Sequence, residues 1–167
     1  LTKVFQSIEN KGVKNYSTNI QRIVKLQKDY LHTIDPVIRF LQFDNPTLAY
    51  NICDGDFLPQ ASRFDQLDDL DWAFGTMGIQ DKARHFATLY LEDIGDLISE
   101  ALDPHFGFSR YAERLGRSAT SFDDLNEALE GPESFTDQFL LEELEKLIQD
   151  TDPYFVCLSV PFPGNLY

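Results

Sequence analysis

Positive charge is scarce in this sequence. The 167 residues carry 14 Lys and Arg against 28 Asp and Glu, which gives a formal net charge of -14 at pH 7. A surface of this kind repels nucleic acids and anionic membranes, because binding either of them requires cations that neutralise phosphate. We therefore expect neither a nucleic-acid partner nor a membrane partner.

Cysteine and long apolar runs are also lacking. The chain has only Cys53 and Cys157, more than a hundred residues apart, whereas small secreted disulfide scaffolds carry more cysteines at closer spacing. Both lie in apolar surroundings, so we predict two buried free thiols in a reducing cytoplasm. The sequence contains no run of eighteen apolar residues, so no membrane span is predicted. The first residues are polar and do not resemble a signal peptide.

Motifs that carry chemistry are missing as well. The three histidines, His32, His85 and His105, share no metal-site spacing with one another or with the cysteines. There is no Walker loop, no Gly-x-Ser-x-Gly and no Gly-x-Gly-x-x-Gly. We predict no catalytic residue and no metal-binding residue in this chain.

Helical periodicity is the strongest positive signal. Hydrophobic residues make up 43% of the chain, enough for a sizeable core. Between Ile79 and Leu102, apolar residues recur every three or four positions over more than six turns, the pattern of a helix that forms the spine of a domain. We predict a mainly α fold, with an irregular multi-helix domain spanning residues 1–150.

Local signals give expected boundaries for the other helices. A first helix over residues 1–10 should end at Gly12, and Thr18 should cap a second one that continues to Leu31. Asp35-Pro36 has the form of a cap followed by a first helical residue, so it predicts a new short helix. Gly55 is expected to close the helix that begins after Asn45-Pro46.

The end of the chain is different in character. A last helix over residues 136–149 should be stopped by Asp152-Pro153, with its apolar side inward: Phe139, Leu140, Leu144, Leu147 and Ile148. Residues 154–160 then read Tyr-Phe-Val-Cys-Leu-Ser-Val, a run without alternation that is typical of a strand buried in a parallel sheet.

A lone strand leaves its backbone groups unpaired, so the predicted strand requires partners. We expect residues 151–167 to be one strand and a loop that enter an adjacent α/β, Rossmann-like domain of a longer protein. Without that domain, the strand over residues 154–160 would favour self-association.

Residues 152–167 read Asp-Pro-Tyr-Phe-Val-Cys-Leu-Ser-Val-Pro-Phe-Pro-Gly-Asn-Leu-Tyr. They resemble a segment of radical S-adenosylmethionine proteins with an N-terminal cobalamin (B12)-binding-type domain, where a strand ending in Ser-x-Pro-Phe-Pro-Gly-Asn recurs. The preceding helices are similar in layout to a helical insertion of that domain. The resemblance implies that Ser159 ends a strand facing the cofactor's nucleotide tail, with Gly164 and Asn165 in the adjoining loop. These three are the candidate cofactor-binding residues.

For the parent protein, the resemblance implies S-adenosylmethionine, a 4Fe-4S cluster and cobalamin. The family's Cys-x3-Cys-x2-Cys is absent from these residues, so the radical chemistry would lie downstream. We expect this chain to hold no cofactor by itself and to act as a non-catalytic helical insertion or accessory segment. Its partner would be the rest of its own parent chain.

Two other functions fit the sequence. One is an acidic helical protein–protein interaction module, in which the acidic stretches 65–71 and 123–145 recruit a basic partner. The other is a small metal- or haem-binding bundle.

Overall fold

A computed structural model describes residues 1–65, 78–104, 106–108 and 130–157. In these residues the chain forms six α-helices and no strand, so the predicted mainly α class is confirmed for them. The chain divides into two compact units, Leu1–Gly107 and Phe108–Tyr167. The neighbouring Rossmann-like domain stays a prediction.

Among the described residues, five helices and two short 3-10 turns belong to the first unit. The helices are α1 (Thr2–Lys11), α2 (Thr18–Lys25), α3 (Gln27–Leu41), α4 (Leu48–Cys53) and α5 (Ile79–Ala101), and the 3-10 turns are Val13–Asn15 and Ser62–Phe64. The described helix of the second unit is α6 (Phe135–Thr151).

The long apolar repeat forms the predicted helix and carries the core. Helix α5 packs against α2, α3, α4 and the 3-10 turn at Ser62–Phe64. Its inward face buries Ala83, Ala87, Tyr90, Asp93, Ile94, Leu97 and Ala101. The other helices, the 3-10 turn at Ser62–Phe64 and the connection before it contribute Phe5, Ile8, Ile20, Ile23, Tyr30, Val37, Phe40, Leu48, Ala49, Ile52, Leu58, Ala61 and Phe64 to the same core.

Several predicted boundaries of the first unit differ from the observed ones. Gly12 ends α1 with φ of 90°, as predicted. Ser17, and not Thr18, caps α2, and its hydroxyl accepts a 3.3 Å hydrogen bond from the Ile20 N–H. The helix expected to reach Leu31 is interrupted at Leu26, which separates α2 from α3.

The short helix predicted to start at Pro36 is wrong, because α3 continues through this residue. Tyr30, Thr33, Val37 and Phe40 are all buried along one face of α3. The free energy gained by burying these four side chains outweighs the loss of the one backbone hydrogen bond that proline cannot donate.

Helix α6 begins with a reciprocal cap. The Ser134 hydroxyl accepts a bond from the Asp137 N–H at 3.1 Å, and the Asp137 carboxylate accepts one from the Ser134 N–H at 2.9 Å. The helix ends before Asp152, which has φ of 43°, so the predicted stop at Asp152-Pro153 is confirmed.

The predicted inward face of α6 is wrong in most positions. Phe139 is half-buried, but the four aliphatic residues expected beside it are exposed: Leu140, Leu144, Leu147 and Ile148. Tyr154 to Cys157 form no strand, and the rest of the predicted strand lies outside the described residues. Cys157 is exposed and Cys53 half-buried, so the predicted burial of both thiols is wrong.

Candidate functional site

A buried carboxylate organises the first unit. Asp93 on α5 has no exposed surface. One of its oxygens accepts bonds from the Ala61 N–H at 3.0 Å and the Tyr30 hydroxyl at 3.3 Å, and the other accepts from the Arg63 N–H at 3.1 Å. Both oxygens are therefore satisfied by protein donors, as a buried charge requires.

Two stacked tyrosines extend this polar centre. The Tyr30 and Tyr90 rings lie 5.2 Å apart between centroids, with an angle of 23° between their planes. The Thr33 hydroxyl donates to the Asp29 carbonyl at 2.7 Å. The Tyr90 hydroxyl donates to the Tyr30 carbonyl at 3.1 Å and forms a second hydrogen bond, 3.0 Å long, with the Thr33 hydroxyl.

The same centre also holds residues 61–63 in place. The Arg63 guanidinium makes two hydrogen bonds to the Asp96 carboxylate, at 2.7 and 2.6 Å, and lies 3.5 Å from Glu92. The Ser62 N–H donates to the Asn19 side-chain oxygen at 3.1 Å. Residues 61–63 are thus held to α5 and α2 through both backbone and side chains.

Burial changes the titration of these groups. It raises the pKa of Asp93 above its usual value, against the opposing effect of the N–H groups of Arg63 and Ala61 and of the Tyr30 hydroxyl. Burial also raises the pKa of Tyr90 to about 12, and burial with the nearby Asp93 charge raises the pKa of Tyr30 further. Both tyrosine hydroxyls are therefore protonated near pH 7 and can donate hydrogen bonds.

An open cleft of about 740 Å³ lies beside this centre. Arg22, Lys25, Asp29 and His32 of α2 and α3 line one wall, and residues 55–60 line the other. The volume suits a small molecule. However, charges of both signs meet there, and Arg22 is already paired with Asp65 at 2.9 Å, so the cleft selects no one ligand chemistry.

The second unit presents a different kind of surface. Five large aliphatic residues on α6 have exposed fractions between 37% and 59%, and we call them the aliphatic face: Leu140, Leu141, Leu144, Leu147 and Ile148. Just beyond the helix, Tyr154 is 99% and Phe155 87% exposed. Large apolar side chains exposed along one face of a helix are characteristic of sites where another protein surface binds.

The three candidate cofactor-binding residues, Ser159, Gly164 and Asn165, lie outside the described residues. Among the described residues, no group of three or more His, Cys, Asp or Glu side chains is arranged to hold a metal ion. In that same part of the chain, none of the helices is both long enough and apolar enough to span a membrane. His85 is half-buried beside the Phe86 ring.

The Asp93 centre was not predicted from the sequence, although a signal for it exists. Asp93 stands on the apolar stripe of α5, directly before Ile94 and four residues before Leu97. An acidic residue on a buried face must find donors elsewhere in the fold. The positions of those donors, at Tyr30, Ala61 and Arg63, depend on tertiary structure.

Comparison of this chain with protein-family models, with curated proteins and with solved structures finds no significant match. The resemblance of residues 152–167 to cobalamin-domain radical proteins is therefore not confirmed and stays a prediction.

Proposed function

We propose that this chain is a non-catalytic helical segment that packs on a neighbouring domain of a larger protein. The observation that carries this proposal is the aliphatic face of α6 together with the exposed Tyr154 and Phe155. The first unit supports it, because its buried polar groups bond to one another and serve to hold the loop at residues 61–63 in place.

We further propose that the parent is a radical S-adenosylmethionine protein with a cobalamin-type domain, in which this chain covers the cofactor domain or shapes access of the substrate. The support is the sequence of residues 152–167 and the apolar character of residues 154–156. In that parent, S-adenosylmethionine and a 4Fe-4S cluster would supply the radical chemistry, and Ser159, Gly164 and Asn165 would lie beside cobalamin.

Sequencing of the coding region on both sides of this segment tests the parent's identity. We expect a Cys-x3-Cys-x2-Cys motif downstream and a further strand upstream. A stop codon directly after Tyr167 would contradict the radical-protein proposal. Anaerobic reconstitution of residues 1–167 with iron and sulfide provides a second test, because a stable cluster on this segment would contradict its non-catalytic role.

The alternative function is an acidic interaction module without enzymatic activity. It is favoured by the charge of the described part of the second unit, where residues 130–157 contain eight Asp and Glu and a single Lys. A defined partner that binds the isolated chain and is released by salt would favour this alternative.

A further inference from the structure

The aliphatic face of α6 has a definite width and definite borders. At about 100° per residue, its five side chains cover an arc of about 120°, the width by which helices normally face a core. Phe135 and Phe139 lie on another side of the helix and are half-buried. Helix α6 therefore already has a packed side, and the aliphatic face is a second apolar side.

Acidic residues border the aliphatic face on both sides. By the same helical geometry, Glu143 and Asp150 lie just outside one edge of the face, and Glu145 lies just outside the other edge. Lys146 is the single basic residue of the helix, and it lies farther from the face than Glu143, with which it pairs at 2.6 Å. The face is thus an apolar stripe between two negative borders.

We propose that the aliphatic face of α6 binds an apolar polypeptide surface that is bordered by Lys and Arg. This inference rests on the proposed docking function and adds the chemistry of the partner. The stripe supplies apolar area, and the borders select against acidic partners, because like charges at the edge of an interface disfavour association.

Two other occupants fit this surface poorly. A second copy of the chain would bring its own Glu143, Glu145 and Asp150 against the same residues. A membrane surface is disfavoured because helices that lie in the interface carry Lys and Arg on their polar side, whereas α6 carries carboxylates.

Three synthetic helical peptides test the proposal by fluorescence anisotropy against the 167-residue chain. The first has a leucine stripe bordered by Lys, the second the same stripe bordered by Glu, and the third the composition of the first with the stripe scrambled. We expect the first peptide to bind about tenfold more tightly than the second, since several exposed ion pairs contribute a little each. This margin should shrink as NaCl rises from about 0.05 to about 0.5 M.

Variants of the chain separate the apolar contribution from general attraction to an acidic protein. Leu144→Ser combined with Leu147→Ser keeps the net charge, and it should abolish binding of the first peptide. Glu143→Lys combined with Glu145→Lys should reverse the preference between the first two peptides. Tyr50→Ser, which changes an exposed aromatic residue of the first unit, should leave binding unaltered. Circular dichroism verifies that each variant is folded.

The possible results lead to different conclusions. Equal binding of the first two peptides would overturn the inferred partner chemistry and leave the docking function standing. Equal binding of the first and third peptides, or no binding at all, would overturn the docking function of this face as well. A concentration-dependent dimer that disappears in the Leu144→Ser, Leu147→Ser variant would assign the face to a second copy.

Discussion

At the scale of single residues, Asp93 links α5 to α3 and to residues 61–63. Its carboxylate is fully buried and accepts bonds from three donors that belong to α3 and to the segment before α5. Removing such a side chain costs more than the bonds themselves contribute, because the donors stay buried without acceptors. Asp96, three residues along the same helix, is partly exposed and bonds to the Arg63 side chain.

We expect Asp93→Ala to lower the free energy of unfolding by about 3 kcal/mol or more, because it leaves two backbone N–H groups and the Tyr30 hydroxyl without their acceptor. Asp96→Ala is the matched control on α5, and it should cost no more than about 1 kcal/mol as a loss of a surface ion pair. Urea titration followed by circular dichroism measures both values. Similar losses in the two variants would show that Asp93 has no special structural role.

The inward-facing residues of α5 can be predicted from the sequence, but the hydrogen-bond partners of Asp93 cannot. The apolar repeat between Ile79 and Leu102 predicts which residues of α5 face inward, because helical spacing alone determines it. It does not predict the donors to Asp93, which lie thirty or more residues away in sequence. Likewise, the aliphatic residues of α6 have the pattern of an inward face, yet they are exposed in the described structure.

At the scale of elements, α3 shows tertiary packing overriding local rules. Asp35-Pro36 has the form of a helix start, but Pro36 lies within the helix. The helix ends in a Schellman motif, in which the Phe43 N–H bonds to the Phe40 carbonyl at 3.0 Å and the Asp44 N–H to the Arg39 carbonyl at 2.9 Å. Phe43 takes the position usually given to glycine, with φ of 67°.

Pro36→Ala should stabilise the first unit by about 1 to 2 kcal/mol. Alanine restores a backbone N–H for the His32 carbonyl and removes the clash of the proline ring, which outweighs the loss of proline's restraint on the unfolded chain. Thermal unfolding followed by circular dichroism should show a higher midpoint. The control is Ile38→Ala on the same helix, a residue 36% exposed whose change should have a much smaller effect. A lower midpoint for Pro36→Ala would mean that the ring's own packing matters more than the missing hydrogen bond.

At the scale of the whole molecule, charge is the dominant feature. A net charge of -14 makes the compact state repel itself, and unfolding relieves this repulsion by separating the charges. The ionised carboxylate of Asp93 also lowers the stability of the folded state. Burial raises its pKa in the folded state, so ionised Asp93 reduces stability above that pKa, and the reduction disappears as the pH falls toward the unfolded value of about 3.9.

We therefore expect the unfolding free energy to increase as the pH falls from about 7 to about 5, since the folded state takes up more protons than the unfolded state in this range. Added NaCl at pH 7 should raise the thermal midpoint by screening the same repulsion, and this salt effect should weaken at the lower pH, where fewer carboxylates are charged. Urea titrations across this pH range, each at about 0.02 and about 0.5 M NaCl, measure both effects. If stability instead fell steadily on acidification and with salt, ion pairs such as Arg63 with Asp96 would contribute more than the overall repulsion.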